Sequence, residues 1–547
     1  MNKLLLVLRT VRYLKPVQVV NRLWRKRPHG AVSHAACPVR RAGALRVSWP
    51  TSFTCWDGHQ TFTFLNETHG CSSVQDWNAG DRKKLWLYNL HYFDCLRTSA
   101  ALNDVDARRR AVALMQRWIE ENPEGVGNGW EPYPISLRVV NWIKWLLREE
   151  PGAEELSAEQ RAVLELSLAV QVRRLVQQLE YHLLANHLLA NAKALVFAGL
   201  FFTGDEAAGW LKKGLALYRT QLPEQVLDDG VHFELSAMYH SIMLEDLLDC
   251  INLSKSSGCG EAEFLREFAS RMLGALNLLT GPDGAIVKFN DAAEGIALTP
   301  ASLMNYAAQL GVSSKVATEL SPRVSGFVRL VVGDWTLLAK CGEIGPSYQP
   351  GHAHADSLSF ELWKGHEKVI TDTGTDRYVV DAERKRQRGS AAHNVVVIDG
   401  RNSSEVWGGH RVARRAKSQG WTVEEVGDAK VLTARIRDVK GITWTRTFRL
   451  SAEGLQGEDR LEGPLKQVKT IDVRFHCPAS IQSRVIITAE VGDRASPSTL
   501  QPVWEPCNLA VGFGRCESGK AASVLVPVHA ETASPVVVRW HIQGEIG

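Results

Sequence analysis

The chain lacks any Cys-x-x-Cys pair, any low-complexity run and any long apolar segment at its start. Its ten cysteines follow no repeated spacing, which excludes a disulfide-stapled scaffold and favours a reducing compartment. The opening apolar run, Leu4 to Leu8, is only five residues long, is ended by Arg9, and precedes no small-residue cleavage site. Neither a secretory signal nor a membrane span is expected there. That reading points to the cytoplasm or the periphery of the inner membrane and leaves the periplasm open. Acidic residues are also absent from the first 28 positions, which hold Lys3, Arg9, Arg12, Lys15, Arg22, Arg25, Lys26 and Arg27. Such a segment reads either as an ordinary first helix or as a basic helix making peripheral contact with an anionic membrane. The net charge of +4 is too small to imply nucleic-acid binding.

What is present is a globular composition, 45% apolar and 23% charged, over 547 residues, enough for two large domains. Residues 85 to 280 read as successive helices. Leu164, Leu168, Val172, Leu175, Leu179 and Leu183 recur at helical spacing within 163–184. Asn186 to Phe202 is nearly all apolar and predicts a buried helix, and two more are expected over 235–253 and 261–280. From about Ser325 the pattern changes to short strands: 327–332, 335–340, 358–362, 394–398, 431–436, 443–448 and 536–540. The expected class is therefore α+β multidomain: a basic N-terminal segment (1–80), a helical domain (81–310) and an antiparallel sandwich (325–547).

Four clusters could carry chemistry. Gly351-His352-Ala353-His354-Ala355-Asp356 places two histidines two apart, side by side if the segment is a strand. With Asp372 and His393 they are acceptable zinc ligands, though the spacing matches no short zinc motif and hydrogen-bonded core histidines are the plainer reading. Asn186-His187 heads the apolar helix, where a cap and a core histidine are equally ordinary. Glu234, Tyr239 and His240 fall within two helical turns. Trp130, Tyr133, Arg138, Asn141, Trp142 and Trp145 could stack on sugar rings and hold carboxylates, or fill a core. Arg- and Lys-rich residues 377 to 417 suit an anionic ligand.

Taken in order, Asn186 to Asn191, Glu234 to His240, His352 to Phe360, Asp372 to Thr375, His393 to Gly400 and Ser404 to Gly408 resemble the heparinase II/III-like polysaccharide lyases. The resemblance spans roughly residues 80 to 460. It implies an incomplete (α/α) toroid followed by an antiparallel β-sandwich, and β-elimination at a uronic acid in an anionic polysaccharide. It further implies Tyr239 as the acid and in some geometries the base, His352 as partner base, and Asn186 with His187 on the uronate carboxylate. His354, Asp372 and His393 resemble a structural zinc site of some members, and no organic cofactor is implied. Glu234, Arg138, Asn141, Trp142, Arg388 and Trp407 are the expected substrate contacts. Two rivals stand beside this reading. One is an α/α-toroid glycoside hydrolase using Asp228, Asp229 and Glu234 as its carboxylates. The other is a non-catalytic protein that binds a surface polysaccharide.

Overall fold

A computed structural model describes residues 3–25, 27, 29–39, 47–50, 55–98, 105–148, 156–315, 324–491, 498–528 and 535–544. Lys26 and part of the expected domain join, 316–323, lie outside the described residues.

Two short helices, α1 (Lys3–Val11) and α2 (Pro16–Trp24), open the chain, and a small antiparallel sheet follows within 55–70. The next nine helices form the incomplete α/α toroid: α3 (Lys84–Tyr92), α4 (Val105–Glu121), α5 (Pro132–Leu146), α6 (Ala158–Gln177), α7 (Ala185–Phe201), α8 (Asp205–Gln225), α9 (Ala237–Ser256), α10 (Leu265–Ala275) and α11 (Pro300–Gln309). The predicted apolar helix is α7, and all but one of its side chains are buried. It packs so closely on α8 that a Cβ added at Gly199 would lie 2.6 Å from the Leu211 backbone. Only glycine permits that approach. The periodic stretch expected to reach Leu184 stops as a helix at Gln177, and a loop turns the chain into α7.

The sandwich sets a seven-stranded antiparallel sheet against two four-stranded ones. The smaller sheets meet where Thr371 N donates to His476 O at 2.9 Å. Phe360, Phe448, Phe475 and Trp540 form the centre of the core, the Phe475 and Trp540 rings 5.0 Å apart. The buried Arg446 is matched by Asp459, which also accepts from the indoles of Trp444 and Trp540. Unpaired, that charge would cost several kcal/mol, on the order of 3–5.

One local expectation fails. The strand predicted at 358–362 begins at Phe360, so His352 and His354 sit in an irregular segment and do not share a strand face. Leu358 takes a positive φ of 63°, which breaks the extended chain just before the ladder starts. Likewise the strand at 394–398 begins at Val396. Asn394 instead turns its amide to the Phe360 and Thr371 carbonyls, bridging two strands.

Candidate active site

A cavity of about 350 Å³ opens where the toroid meets the sandwich. Helices α3, α5, α7 and α9 supply one side, and His352, Tyr378 and Phe513 the other. Asn186, His187, Tyr239 and His352, drawn from three distant parts of the sequence, all line it.

Asn186 and His187 occupy the first turn of α7, where the helix dipole favours an anion. They reach it because Leu184 and Ala185 both adopt positive φ, 63° and 51°. Such conformations cost on the order of 1–3 kcal/mol each and persist only when neighbours enforce them. His187 Nδ1 lies 3.0 Å from Glu180 Oε1, and its ring packs on Tyr133. Burial works against an imidazolium here, but the Glu180 carboxylate prevails and holds His187 above the ordinary imidazole range. The side chain keeps 29% exposure, enough to meet a ligand.

Tyr239 lies in the first turn of α9, capped by Ser236, whose hydroxyl accepts from Tyr239 N. Its ring stacks on His352 with centroids 3.8 Å apart, and its hydroxyl is 3.0 Å from that of Tyr378. Burial, with Tyr378 and Tyr133 nearby, pushes the Tyr239 phenol well above its usual range, so it keeps its proton. His352 Nδ1 lies 3.0 Å from Asp291 Oδ2. Burial opposes the charge on Asp291, but Arg384 and the two histidines hold its carboxyl well below the usual range. It is therefore an acceptor, and His352 Nδ1 carries the proton. The other ring nitrogen, Nε2, lies 3.5 Å from Glu234 Oε2. Burial raises the Glu234 carboxyl above its ordinary range.

Asp291 is the hub of this side. It accepts two bonds from the Arg384 guanidinium, at 2.5 and 2.7 Å, and one from each histidine. Neighbouring Asn290, at φ 58°, donates to Leu235 O and accepts from Lys340 and from His354 N. The sequence reading missed Asp291, Asn290, Arg384, Tyr378 and Glu180. An Asn-Asp pair after a turn was the only local signal for the first two.

The expected zinc ligands can be tested by their unpartnered atoms. His354 Nε2 donates to Asp291 and His393 Nδ1 donates to Asp372, each at 2.8 Å. The other nitrogens, His354 Nδ1 and His393 Nε2, are therefore lone pairs, and both are buried without a hydrogen-bond partner. The two rings are 5.3 Å apart. Burial brings His354 down to about 4, so it stays neutral, as a ligand must. Among the described residues no three His, Cys, Asp or Glu side chains gather closely enough to hold an ion as they stand. The donor chemistry of the two histidines suits a metal. Asp372 backs His393, the orienting role a carboxylate plays behind a ligating imidazole.

The family model described as Heparinase II/III N-terminus matches residues 76–311, and Heparinase II/III-like, C-terminal matches 320–513. The chain belongs to the heparinase II/III-like family. The heparin-sulfate lyase of Pedobacter heparinus is 25% identical over 365 residues, 60% of this chain and 54% of that protein. The heparin-sulfate lyase of Bacteroides stercoris is 26% identical over 247 residues, 41% of this chain and 37% of that protein. The chain thus spans about half the length, or less, of these curated relatives. Among solved structures, heparinase III superposes with a TM-score of 0.64 at 15% identity, covering 96% of this chain and 89% of that one. Heparan sulfate lyase HepC of Pedobacter heparinus gives 0.53 at 18% identity, covering 87% and 80%. These likenesses establish the toroid-plus-sandwich fold.

Within this heparinase II/III-like fold, several expected substrate contacts are placed elsewhere. Arg138 is fully buried over the Trp118 ring, and its guanidinium is used by Gln171, His91 O and Gly129 O. Trp142 is equally buried against Phe93 and Trp118. Arg388 donates to Ala353 O, and Trp407 donates to Thr10 on α1. None of the four lines the cavity. Asn141 does, while its amide holds Tyr92 O and Asp94. Glu234 lies behind the wall, accepting from Asn186 N at 3.3 Å, and so positions Asn186 and His352 rather than touching a ligand. The basic stretch 377–417 is largely self-matched: Arg377 to Asp376, Arg386 to Glu383, Arg414 to Glu405. The hydrolase carboxylates also miss the cavity, since Asp229 caps Ser325 and Asp228 faces Arg271.

Proposed function

We propose that this protein is a polysaccharide lyase that cleaves an acidic polysaccharide beside a uronic acid by β-elimination. The observation that carries the proposal is the stacking of Tyr239 on His352 in the cavity that Asn186 and His187 also line. The names of the relatives, heparin-sulfate lyases, support the same class.

The uronate carboxylate sits at the first turn of α7, where His187 and Asn186 neutralise it and make the C5 proton acidic. His352 Nε2 takes that proton. The C5–H electrons form the C4–C5 double bond as the C4–O4 bond breaks, and the Tyr239 hydroxyl gives its proton to the departing O4. The upward shift of Tyr239 keeps the phenol protonated until O4 departs. Acid and base help of this kind contributes about 10²–10⁴-fold. The far wall bears on the neighbouring sugar. Arg97, Lys144 and Lys193 are there, but they are already paired with Glu245, Asp249 and Asp246. Asp94, Glu245 and Asp246 share that wall, which makes it a poor seat for a sulfate. An unsulfated or lightly sulfated chain is the better fit.

The test is ultraviolet absorbance of unsaturated uronate on a panel of sulfated and unsulfated uronate polymers. Absorbance should rise, fastest on an unsulfated polymer. A folded protein that binds a polymer without this product would favour the non-catalytic reading.

His187 gives a pH expectation. Its folded-state value is raised, so the cation is present at low pH and lost as pH rises through that raised value. Binding should therefore weaken on the alkaline side, above the ordinary imidazole range. His187→Gln should raise KM about 10–100-fold, the ~1.5–3 kcal/mol of one charge-assisted bond, and should flatten that alkaline limb. An unchanged limb would remove His187 from carboxylate binding.

We also propose that His354 and His393 hold a structural zinc ion, which would tie the two sandwich segments beneath the cleft. Metal analysis of the purified protein should find about one ion per chain, lost in His393→Ala together with thermal stability. A wild-type protein purified without chelator and free of metal would overturn this.

A further inference from the structure

Helices α1 and α2 present the wrong faces for a pair that only packs on the protein. The docked side of α1 is Leu6, Arg9 and Thr10, continued by Tyr13 in the turn after it. Leu6 is buried, Arg9 meets Glu405 at 2.9 Å, Thr10 accepts from Trp407, and Tyr13 lies under Arg415. The docked side of α2 is polar as well. Gln18 is fully buried, donating to Leu183 O and Tyr348 O, and the flanking Lys15 and Arg25 meet Glu224 and His182. The apolar side chains point outward instead. Leu8, Val20, Leu23 and Trp24 are each more than half exposed, with Leu5, Val11 and Val17 beside them. Of the 24 exposed large apolar side chains among the described residues, ten fall within 4–24. A clustered apolar patch of this kind marks an interaction surface, not the scatter normal on a monomer.

Its charge selects the occupant. Lys3, Arg12, Arg22, Arg25 and Arg27 are exposed around the apolar side chains, and no acidic residue occurs in the first 28 positions. Arg27 stacks over Trp24 at 3.7 Å, pairing a cation with an indole as at a membrane–water boundary. Each helix has nine residues, too short to cross a bilayer, and among the described residues no helix is long and apolar enough to do so. Two short helices with an apolar outer face and a basic border suit the plane of an anionic membrane surface.

We propose that α1 and α2 seat this protein on an anionic phospholipid surface. Trp24, Arg25 and Arg27 also border a groove that runs to Glu180 and His187. Seating would therefore bring the groove that His187 shares with the cavity close to the bilayer, within reach of a glycan held there. The seating itself does not depend on the lyase reading.

The test is co-flotation of the full chain with vesicles of phosphatidylcholine alone and of phosphatidylcholine with phosphatidylglycerol. The bound fraction should be at least about tenfold higher on the anionic vesicles and should fall with added salt. Leu8→Glu with Leu23→Glu should reduce it at least about tenfold while circular dichroism and thermal midpoint stay unchanged, because both side chains are exposed. Equal binding to neutral and anionic vesicles, or wild-type binding by the folded double variant, would overturn the proposal. So would a dimer that binds no vesicles and that the double variant dissolves, since the face would then belong to a second copy.

Discussion

Tyr239→Phe is expected to slow turnover about 10²–10⁴-fold, the usual contribution of a positioned proton donor, while the protein folds as before. The ring survives the change, so its stack on His352 at 3.8 Å and its packing in the cavity wall remain. Only the hydroxyl is lost, and its one hydrogen bond is to the Tyr378 hydroxyl. Removing it costs at most ~1–2 kcal/mol of stability. KM should change little, because carboxylate binding is assigned to Asn186 and His187. Tyr378→Phe serves as the comparison. It removes the partner but not the donor, and should cost far less activity. Steady-state rates on the best polymer of the panel decide this. A Tyr239→Phe enzyme within about threefold of wild type would take Tyr239 out of the proton transfer.

Asp291→Asn is expected to damage both stability and activity. The carboxylate is buried between Arg384, His352 and His354, and Arg384 is equally buried. Neutralising Asp291 leaves the guanidinium without its counter-charge, at a cost of about 3–5 kcal/mol. It also replaces the acceptor-only carboxylate that fixes the proton on His352 Nδ1 with an amide that can donate as well as accept, so Nε2 is no longer held as the base, and turnover should fall by at least ~10²-fold. The two effects can be separated. Asp291→Asn with Arg384→Met removes both buried charges and should recover much of the thermal midpoint. Activity should stay low, since His352 still lacks its carboxylate. Recovery of activity along with stability would mean that Asp291 acts only through folding.

How much of this site was legible differs from residue to residue. Asn186, His187, Tyr239 and His352 were legible as an ordered set of segments, and the fold brings all four to one cavity. Asp291, Tyr378 and Arg384 were not. Their partners lie 61 to 139 residues away in the chain, and beyond the Asn-Asp pair at 290–291 nothing within a helical turn of them marks the contact. Arg138 and Trp142 were misread for a different reason. Helix α5 has eleven of its fifteen side chains buried, so its apolar pattern does not single out the face toward the cavity. Arg138 is a buried cation matched by carbonyls, an environment that composition cannot distinguish from a ligand site.

The sequence by itself determined the helices, the strands and their order. Those depend on periodicity and turn chemistry within about ten to twenty residues, where every interaction is local. Tertiary structure alone decided that His352 and His354 both close on Asp291 instead of lining one strand. It also decided that strained backbone at Leu184, Ala185 and Asn290 would aim the site. Positive φ at such residues is unfavourable on its own and is held only by contacts from the rest of the fold, so no local pattern announces it.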